Sequence, residues 1–327
     1  MYFIFAIVAL LCWSGSDLFS KKGTNEKDPN SHWKVVFAVG LIMGIHFFIT
    51  LIGGAIIDSV GGPDEVPKFI ASLFYTDFKF MDFINYLPVA ALYIFAMVLG
   101  YIGLRYIELS VSSPICNCSG SLALLLCAIF LPMLGGDVIE LDAWSIIGVV
   151  LITLGIIAVG IVDSKESQEL KELRRLESNR KYTKSFLALL LPIAYLIIDA
   201  LGTVGDEVFF IFNDISDYSA NSSFELTFFF LAVFAFIWVK FVKNDHLFKS
   251  QSKDVYIGGL CETIGQVFYM AVMFADYEVG MPIISAYCVV SVLWSRIFLK
   301  EKLSFKHYLM IGLTFAGIIL LGIFSPV

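Results

Sequence analysis

Charged side chains are scarce in this chain. They make up 16% of its residues, against about 25% in an ordinary soluble domain, whereas 58% of the residues are hydrophobic. One soluble core cannot hide so much apolar surface, but roughly ten membrane helices of about 20 residues each would absorb it. A soluble enzyme is therefore excluded. The charges lie in short stretches between apolar runs, so the net charge of −7 points to no charged partner, and nucleic-acid binding is excluded as well.

Patterns that hold disulfides, metals or nucleotides are also missing. All six cysteines fall inside apolar runs, which argues against a disulfide framework or a zinc site. The four histidines are scattered over separate segments, and the Gly-x-x-x-x-Gly-Lys-Ser/Thr nucleotide motif does not occur. We therefore expect no cofactor, and we expect any transport to draw its energy from gradients.

Long apolar runs are what the sequence does contain. Ten of them are long enough to cross a bilayer as helices, and they predict an all-α integral protein of the plasma membrane with ten transmembrane helices. Two longer connections separate them. The segment 58–85 interleaves phenylalanines with charged residues and is typical of a chain lying at the membrane interface, whereas 163–184 is dense in charge. The runs are 2–20, 35–57, 86–104, 112–134, 144–162, 185–205, 223–242, 255–275, 281–299 and 307–324.

The lysine and arginine residues predict the orientation, because basic residues in short loops stay in the cytoplasm. Twenty of the 22 basic residues fall in alternate connections, which include the segment 163–184; the other two, Lys68 and Lys79, fall on the opposite side. None lies near the middle of a run. We therefore expect the basic connections in the cytoplasm and both termini outside.

The second half of the chain echoes the first. An offset of 168 residues places Pro114 on Pro282, and an offset of 162 places Gly155–Ile161 on Gly317–Ile323. Each half holds five runs, an odd number, so the second copy enters the bilayer from the opposite side, as in the inverted repeats of transporters. The predicted units are a first five-helix repeat at 1–162, a charged cytoplasmic linker at 163–184 and a second five-helix repeat at 185–327.

Short motifs at both ends of the chain are distinctive. They are Trp13–Lys21 near the beginning and Pro282, Tyr287, Ser291, Ile297–Ser304, Gly312 and Gly317-Ile318 in the second half. These motifs resemble the drug/metabolite transporter superfamily, and within it the ten-helix EamA-type carriers. The resemblance spans the whole chain and implies a carrier of small metabolites whose central cavity is lined by runs one to four and six to nine. The first copy departs from the family motif, with Gly135-Gly136-Asp137 where a Glu-Lys/Arg pair is common.

Ionisable residues at membrane depth are costly and so mark candidate sites. Glu262 lies nine residues beyond Lys253, which places it about 13 Å into a hydrocarbon core about 30 Å thick. Gln266 and Tyr269 follow at i+4 and i+7 and share its helix face. We predict that this stripe lines the cavity and binds substrate or a proton. The alternative is a glutamate satisfied by a neighbouring helix.

A second set of candidates lies on the fourth, sixth and ninth runs. Asp199, with Tyr195 one turn earlier, is also deep, and we weigh a cavity-lining role against a structural one. Asn117 and Tyr287 are the polar residues of their runs for which binding is favoured over helix packing. With no lysine or arginine at mid-depth to pair with phosphate, these acids suit a zwitterion, an amine, a neutral polyol or a coupling proton.

Two further residues have competing interpretations. His46 lies near mid-depth on an apolar stretch, where a hydrogen-bonded core histidine competes with a substrate or proton site. Asp17 lies one turn from Lys21 and is predicted to form an interfacial salt bridge or a gate.

Three hypotheses for function follow. The first is a secondary carrier that exports an amino acid or related metabolite by alternating access, with lipid and a small-molecule substrate as partners and a proton or other ion as coupling partner. The second is a sugar permease of the same superfamily. The third, a membrane-embedded enzyme, is disfavoured because no nucleophile, base or ligand set is clustered. We therefore expect that the chain is not an enzyme.

Overall fold

The fold is a bundle of helices, and the computed structural model contains no strand within the residues it describes. Those residues are 2–25, 27–136, 143–165, 186–213, 215–248, 253–273, 283–301 and 303–324. The helices of the first half are α1 Tyr2–Gly23, α2 Ser31–Ser59, α3 Lys68–Phe74, α4 Phe80–Gly103, α5 Leu109–Cys116, α6 Ser119–Met133 and α7 Ala143–Lys165. Those of the second half are α8 Phe186–Phe212, α9 Asp217–Ile237, α10 Lys253–Met273, α11 Tyr287–Phe298 and α12 Phe305–Phe324. A 3-10 turn at Pro63–Glu65 precedes α3, and a π-turn at Trp238–Val242 continues α9.

The prediction of an all-helical protein is confirmed for the described residues, and seven of their helical stretches are long and apolar enough to cross a membrane. Three shorter apolar helices, Ile146–Gly155, Ile283–Phe298 and Phe305–Leu320, accompany them. The predicted linker 163–184 lies outside the described residues except for the end of α7, as does Pro282 of the family motif. The seven long stretches are Phe3–Gly23, Ser31–Ser59, Phe80–Gly103, Leu109–Met133, Ala188–Phe212, Asp217–Val242 and Lys253–Met273.

Helix α2 shows why these segments suit a membrane. One of its faces is an exposed apolar stripe with helical spacing, formed by Ile45, Ile49, Ile52 and Ile56, each between 44% and 66% exposed. Such a stripe is unfavourable in water and favourable against lipid. The opposite face is buried, and there glycine brings the helices together. A Cβ atom on Gly40 would lie 2.4 Å from the Phe228 carbonyl oxygen of α9, so the two backbones are in direct contact.

The two halves of the sequence are interleaved rather than set side by side. Helix α1 packs on α10, α4 on α8, α2 on both α9 and α10, and α9 on α4. Trp13 lies against Gly265 and Gly23 against Val255, so α1 and α10 run in opposite directions. The pairs α4 with α8 and α7 with α12 are antiparallel by the same criterion.

Helices α5 and α11 cross each other and are also antiparallel. The backbone N–H of Leu109, at the start of α5, meets Glu301 beyond the end of α11, whereas Asn117 at the other end of α5 meets Ser285 before α11 begins. Both helices contact α1, and α5 also contacts α8. They therefore lie between the outer helices of the two halves.

The connection 58–85, predicted to lie at the interface, contains α3 and crosses the ends of several helices. Phe69 of α3 stacks on Phe5 of α1 at 4.6 Å and lies 5.7 Å from the ring of Phe268 on α10. Just beyond α3 the backbone lies on α2, because a Cβ atom on Gly54 would be 2.6 Å from the Thr76 carbonyl oxygen. The segment thus joins α1, α2 and α10.

The helix is interrupted between α4 and α5, at residues 104–108, which we call the break. A buried lysine binds the carbonyl oxygens on the α4 side of the break. The ammonium group of Lys21, on α1, donates hydrogen bonds to the carbonyl oxygens of Leu104 and Ile107. Lys21 is 0% exposed. A cation at a helix C-terminus is favoured by the helix dipole and supplies donors to carbonyls that the helix leaves unpaired.

A buried glutamate meets the amide side of the same break. The carboxylate of Glu301 accepts the backbone N–H groups of Leu109 and Ser110 at 3.0 Å each and the Ser110 hydroxyl at 2.8 Å. Glu301 is 1% exposed. Lys300 adopts a left-handed φ of 54° that ends α11 and turns Glu301 towards α5. We call Lys21 and Glu301 the charged clamp.

Replacing Glu301 by glutamine should destabilise the protein. Glutamine keeps one acceptor oxygen for the two backbone N–H groups and points its NH2 group at one of them, so that donor faces donor, and we expect a loss of about 1 to 3 kcal/mol in the free energy of unfolding. Thermal unfolding of the purified protein in detergent measures this. The control is Glu65→Gln, which changes an exposed acid. Equal melting temperatures for the two variants would contradict the capping role.

Candidate functional site

Asp17, on α1, lies where α1, α5 and α11 meet. Its Oδ2 atom accepts the hydroxyl of Ser113, on α5, at 2.6 Å and the hydroxyl of Ser291, on α11, at 2.7 Å. Lys21, expected to form a salt bridge with it, directs its ammonium group to the break between α4 and α5. Asp17 thus holds the two central helices on α1.

Glu262, on α10, lies beside Asp17. The hydroxyl of Ser16, on α1, donates to its carboxylate, and the two carboxylates interact electrostatically. Both acids keep partial access to solvent although helices surround them. Two acids this close interact favourably with a shared cation or proton, because that removes their mutual repulsion.

Aromatic side chains enclose the two acids. The Trp13 ring lies 5.3 Å from the Tyr269 ring and 5.8 Å from the Tyr287 ring. The hydroxyl of Tyr101, a residue 7% exposed, interacts electrostatically with Glu262 and Asp17. Neither this hydroxyl nor the Trp13 indole N–H has a hydrogen-bond partner within the described chain. We call these six residues the central site.

A second pair of acids lies on α8. Asp199 accepts a hydrogen bond from Ser119 of α6, and its charge acts on Tyr195 one turn earlier. Asp206, two turns further along, accepts the Tyr86 hydroxyl of α4 at 2.8 Å. Tyr269 interacts electrostatically with both Asp199 and Asp206, and Tyr195 interacts electrostatically with Glu262. The α8 acids and the central site therefore belong to one polar region.

His46 belongs to a different network. Its Nδ1 lies 2.8 Å from Oε1 of Glu225 on α9, and its Nε2 lies 3.2 Å from the Leu73 carbonyl oxygen of α3. The Asn221 amide contacts Glu225 at 3.4 Å, and Gln266 donates to Asn221 at 3.0 Å. Gln266 therefore joins this network, one turn beyond Glu262.

The structure thus divides the predicted site residues into groups. Glu262, Tyr269, Tyr287 and Asp17 meet around Trp13. Asn117 instead donates to the Ser285 carbonyl oxygen at 2.7 Å and contacts the Cys288 sulfur at 3.1 Å, so it joins helices. Asp199 and Tyr195 form the α8 part of the polar region, and His46 and Gln266 form the separate network.

Glu225 and Tyr101 were not predicted as site residues. Glu225 is 0% exposed and lies three residues into an apolar run, where it resembles the charged edge of a helix. Tyr101 lies among many aromatic residues. Lys21 was expected to pair with Asp17, and Lys21 and Glu301 both lie in motifs of the family resemblance, but their contacts with the backbone between α4 and α5 were not predicted. A signal existed for Glu225: it lies four residues after Asn221, so two polar side chains share one face of an apolar helix.

Comparisons with known proteins inform the fold alone. No family model and no curated protein matches the sequence. Thirteen chains of solved structures match. One of them, described only as the crystal structure of a protein, has 15% sequence identity, covers 98% of this chain and 95% of its own, and superposes with a TM-score of 0.54. The chain is therefore similar to an experimentally determined fold over nearly its whole length.

The position of Trp13 should depend on a glycine. A Cβ atom on Gly265 would lie 2.4 Å from Cδ1 of the indole, so Gly265→Ala must displace Trp13 or separate α1 from α10. We expect the melting temperature to fall by several degrees, equivalent to about 1 to 3 kcal/mol. The matched control is Gly312→Ala, because no atom lies within 4 Å of its added methyl group. An unchanged melting temperature for Gly265→Ala would contradict the close packing.

Proposed function

We propose that the chain is a secondary transporter of a small metabolite, an EamA-type carrier of the drug/metabolite transporter superfamily, working by alternating access between two inverted five-helix halves. The observation that carries the proposal is the symmetry of the helix contacts. Helix α1 packs on α10 as α8 packs on α4, and α2 packs on α10 as α9 packs on α4. Each contact has a counterpart in which first-half and second-half helices exchange places.

The symmetry extends to single residues at the bundle edge. At the offset of 162 taken from the sequence, the contact of Gly155 with Thr314 has as its counterpart a contact of Gly317 with Ile152. Both contacts occur: an added Cβ would lie 2.2 Å from Thr314 Oγ1 in the first case and 2.7 Å from Ile152 Cγ1 in the second. This supports α7 and α12 as the fifth and tenth spans.

The fourth and ninth spans give the same support. Asn117 contacts Ser285 with a separation of 168 residues, which is the repeat offset for this pair. A residue that touches its own repeat equivalent lies near a two-fold axis. The antiparallel course of α5 and α11 is what inversion requires of equivalent elements lying side by side.

The contacts of the outer helices also recur between the two halves, but at other sequence offsets. Trp13 lies on Gly265 and Tyr195 on Gly100, while Ser20 lies on Gly258 and Tyr93 on Gly202. These pairs correspond when α1 matches α8 at an offset of 182 and α4 matches α10 at an offset of 165, rather than at the 168 that places Pro114 on Pro282. Asp17 then corresponds to Asp199, each one turn after the aromatic residue.

The central site favours a substrate that carries an ammonium group. Asp17 and Glu262 offer negative charge beside aromatic rings, which suits a cation. The indole N–H of Trp13 and the hydroxyl of Tyr101, which have no hydrogen-bond partner among the described residues, can donate to a carboxylate. Together these groups match an amino acid better than a sugar. Export follows from the family resemblance, and a sugar permease is the second candidate because the tyrosines and serines also suit a polyol.

Transport should depend on Glu262. In liposomes containing the purified protein, we expect uptake of radiolabelled leucine or lysine above protein-free liposomes, with dependence on pH. Glu262→Gln should lower this uptake at least tenfold and flatten its pH dependence, since glutamine neither binds an ammonium ion strongly nor exchanges a proton.

Glu262→Asp should retain weaker, pH-dependent uptake, and Glu207→Gln, at an exposed acid of α8, should behave as the wild type. Uptake of glucose alone would favour the sugar permease, and no uptake of any probe would overturn the proposal.

The orientation can be tested in intact cells. The 20-to-2 distribution of basic residues places the loop at Glu65 outside and the turn at Asn244 inside. A single cysteine introduced at position 65 of a cysteine-free variant should react with a membrane-impermeant maleimide. One introduced at position 244 should react only after the cells are permeabilised. The reverse pattern would invert the topology and leave the helix pairing unchanged.

A further inference from the structure

Two groups hold the His46 ring, the Leu73 carbonyl oxygen and the Glu225 carboxylate. When Glu225 is ionised, both groups accept hydrogen bonds and neither can donate one. The Leu73 carbonyl oxygen lies 3.2 Å from Nε2, and the Glu225 oxygens lie 2.8 and 3.0 Å from Nδ1. A carbonyl oxygen cannot donate, so Nε2 must carry a hydrogen. A second proton must then lie between Nδ1 and Glu225, either on the ring as imidazolium or on the carboxyl group. The observed geometry contains one proton more than the neutral ring and the ionised carboxylate would hold together.

Losing that proton breaks one of the two contacts. A neutral imidazole has one N–H group, so it can serve either the Leu73 carbonyl oxygen or the Glu225 carboxylate. The other acceptor would face a nitrogen lone pair, which is repulsive in surroundings of low dielectric constant. The single N–H group goes to the ionised carboxylate, because a hydrogen bond to a charged acceptor is the stronger one, so deprotonation breaks the contact with the Leu73 carbonyl oxygen and releases α2 from α3.

The charged group that acts on His46 is Glu225 of α9. The other helices that pack around α2 carry titratable groups of their own, Asp17 on α1, Asp82 on α4 and Glu262 on α10. Lys68, at the start of α3, is exposed to solvent. The neighbouring packing is apolar, formed by Phe47, Phe83 and Leu226. The proton on this pair is thus held by the pair itself and by its polar contacts.

The His46–Glu225 pair lies between α3 and α10, so loss of its proton affects how these two helices are held together. Leu73 is the penultimate residue of α3, which contacts α2 and α10 and, through Phe69, Phe5 of α1. On its other side Glu225 connects through Asn221 to Gln266 of α10, one turn from Glu262. The pair therefore joins the connecting segment on one end of the bundle to the helix that carries the central acid.

We propose that His46 and Glu225 form a proton-binding site whose occupancy fastens α3 and α9 to α2, and that release of this proton frees α3 at the end of the bundle it crosses. This rests on the proposed function in one respect: in a carrier, the freed segment opens the outward path, and the proton becomes the coupling ion. The reaction is a reversible proton transfer to water, with no other bond made or broken.

Hydrogen-deuterium exchange of the full chain in lipid nanodiscs tests the site without a substrate. After correction for the chemical exchange rate, protection of the Lys68–Phe74 amides should fall at least tenfold between about pH 5 and 9 in the wild type. In His46→Gln, which cannot gain a proton, protection should be low and independent of pH. In Glu225→Gln the transition should move to lower pH by about one unit or more, since the imidazolium loses its counter-charge.

The controls separate this site from the others. His246→Gln, at an exposed loop histidine, and Glu262→Gln should both keep the wild-type response of α3. A wild-type α3 that does not respond to pH, or a response that survives in His46→Gln, would overturn the proposal. If His46→Gln does not fold, the Glu225→Gln transition decides: an unmoved midpoint also overturns it. If no probe is transported but α3 responds as expected, the proton site stands and the transport proposal falls.

Discussion

The structure depends on one constraint of a buried, water-free interior: a backbone polar group left there without a partner costs free energy comparable to a lost hydrogen bond. A continuous helix pairs its own backbone groups. At the break between α4 and α5, side chains from other parts of the chain must supply the hydrogen-bond partners. Lys21 supplies donors to the carbonyl side and Glu301 supplies acceptors to the amide side. Because the two residues come from opposite ends of the sequence, closing this break also fixes α1 and the end of α11 around α5.

Close helix packing then sets the geometry of the central site. Gly265 admits the Trp13 indole, and the same approach of α1 to α10 brings Asp17 beside Glu262. Asp17 receives two serine hydroxyls, which satisfy part of its hydrogen-bonding capacity without supplying a positive charge. In the proposed carrier, a site built this way is held in place by neutral groups and is electrostatically prepared for a cation or a proton.

The sequence predicted the features that repeat locally, and it could not predict those that depend on distant partners. Apolar runs gave the helices, and the offsets of 168 and 162 agree with contacts at Asn117 and Gly155. Glu262 was found because its depth follows from counting residues. Glu225 and Glu301 were missed because their partners lie 179 and 192 residues away. Periodicity reveals which face a residue occupies, but only the fold reveals what lies opposite.

The two ends of the bundle are chemically unequal despite the symmetry of the helices. At the offsets that match the halves, Thr203 stands in the place of Lys21 and Met133 in the place of Glu301, so these equivalent positions do not repeat the charged clamp. The clamp joins its lysine and its glutamate to backbone groups. His46 and Glu225, by contrast, form the proton-binding site proposed above. In the proposed carrier one end is therefore closed by contacts with the backbone and the other by a contact that depends on a proton, and this asymmetry lets a proton gradient give direction to otherwise symmetrical helix motions.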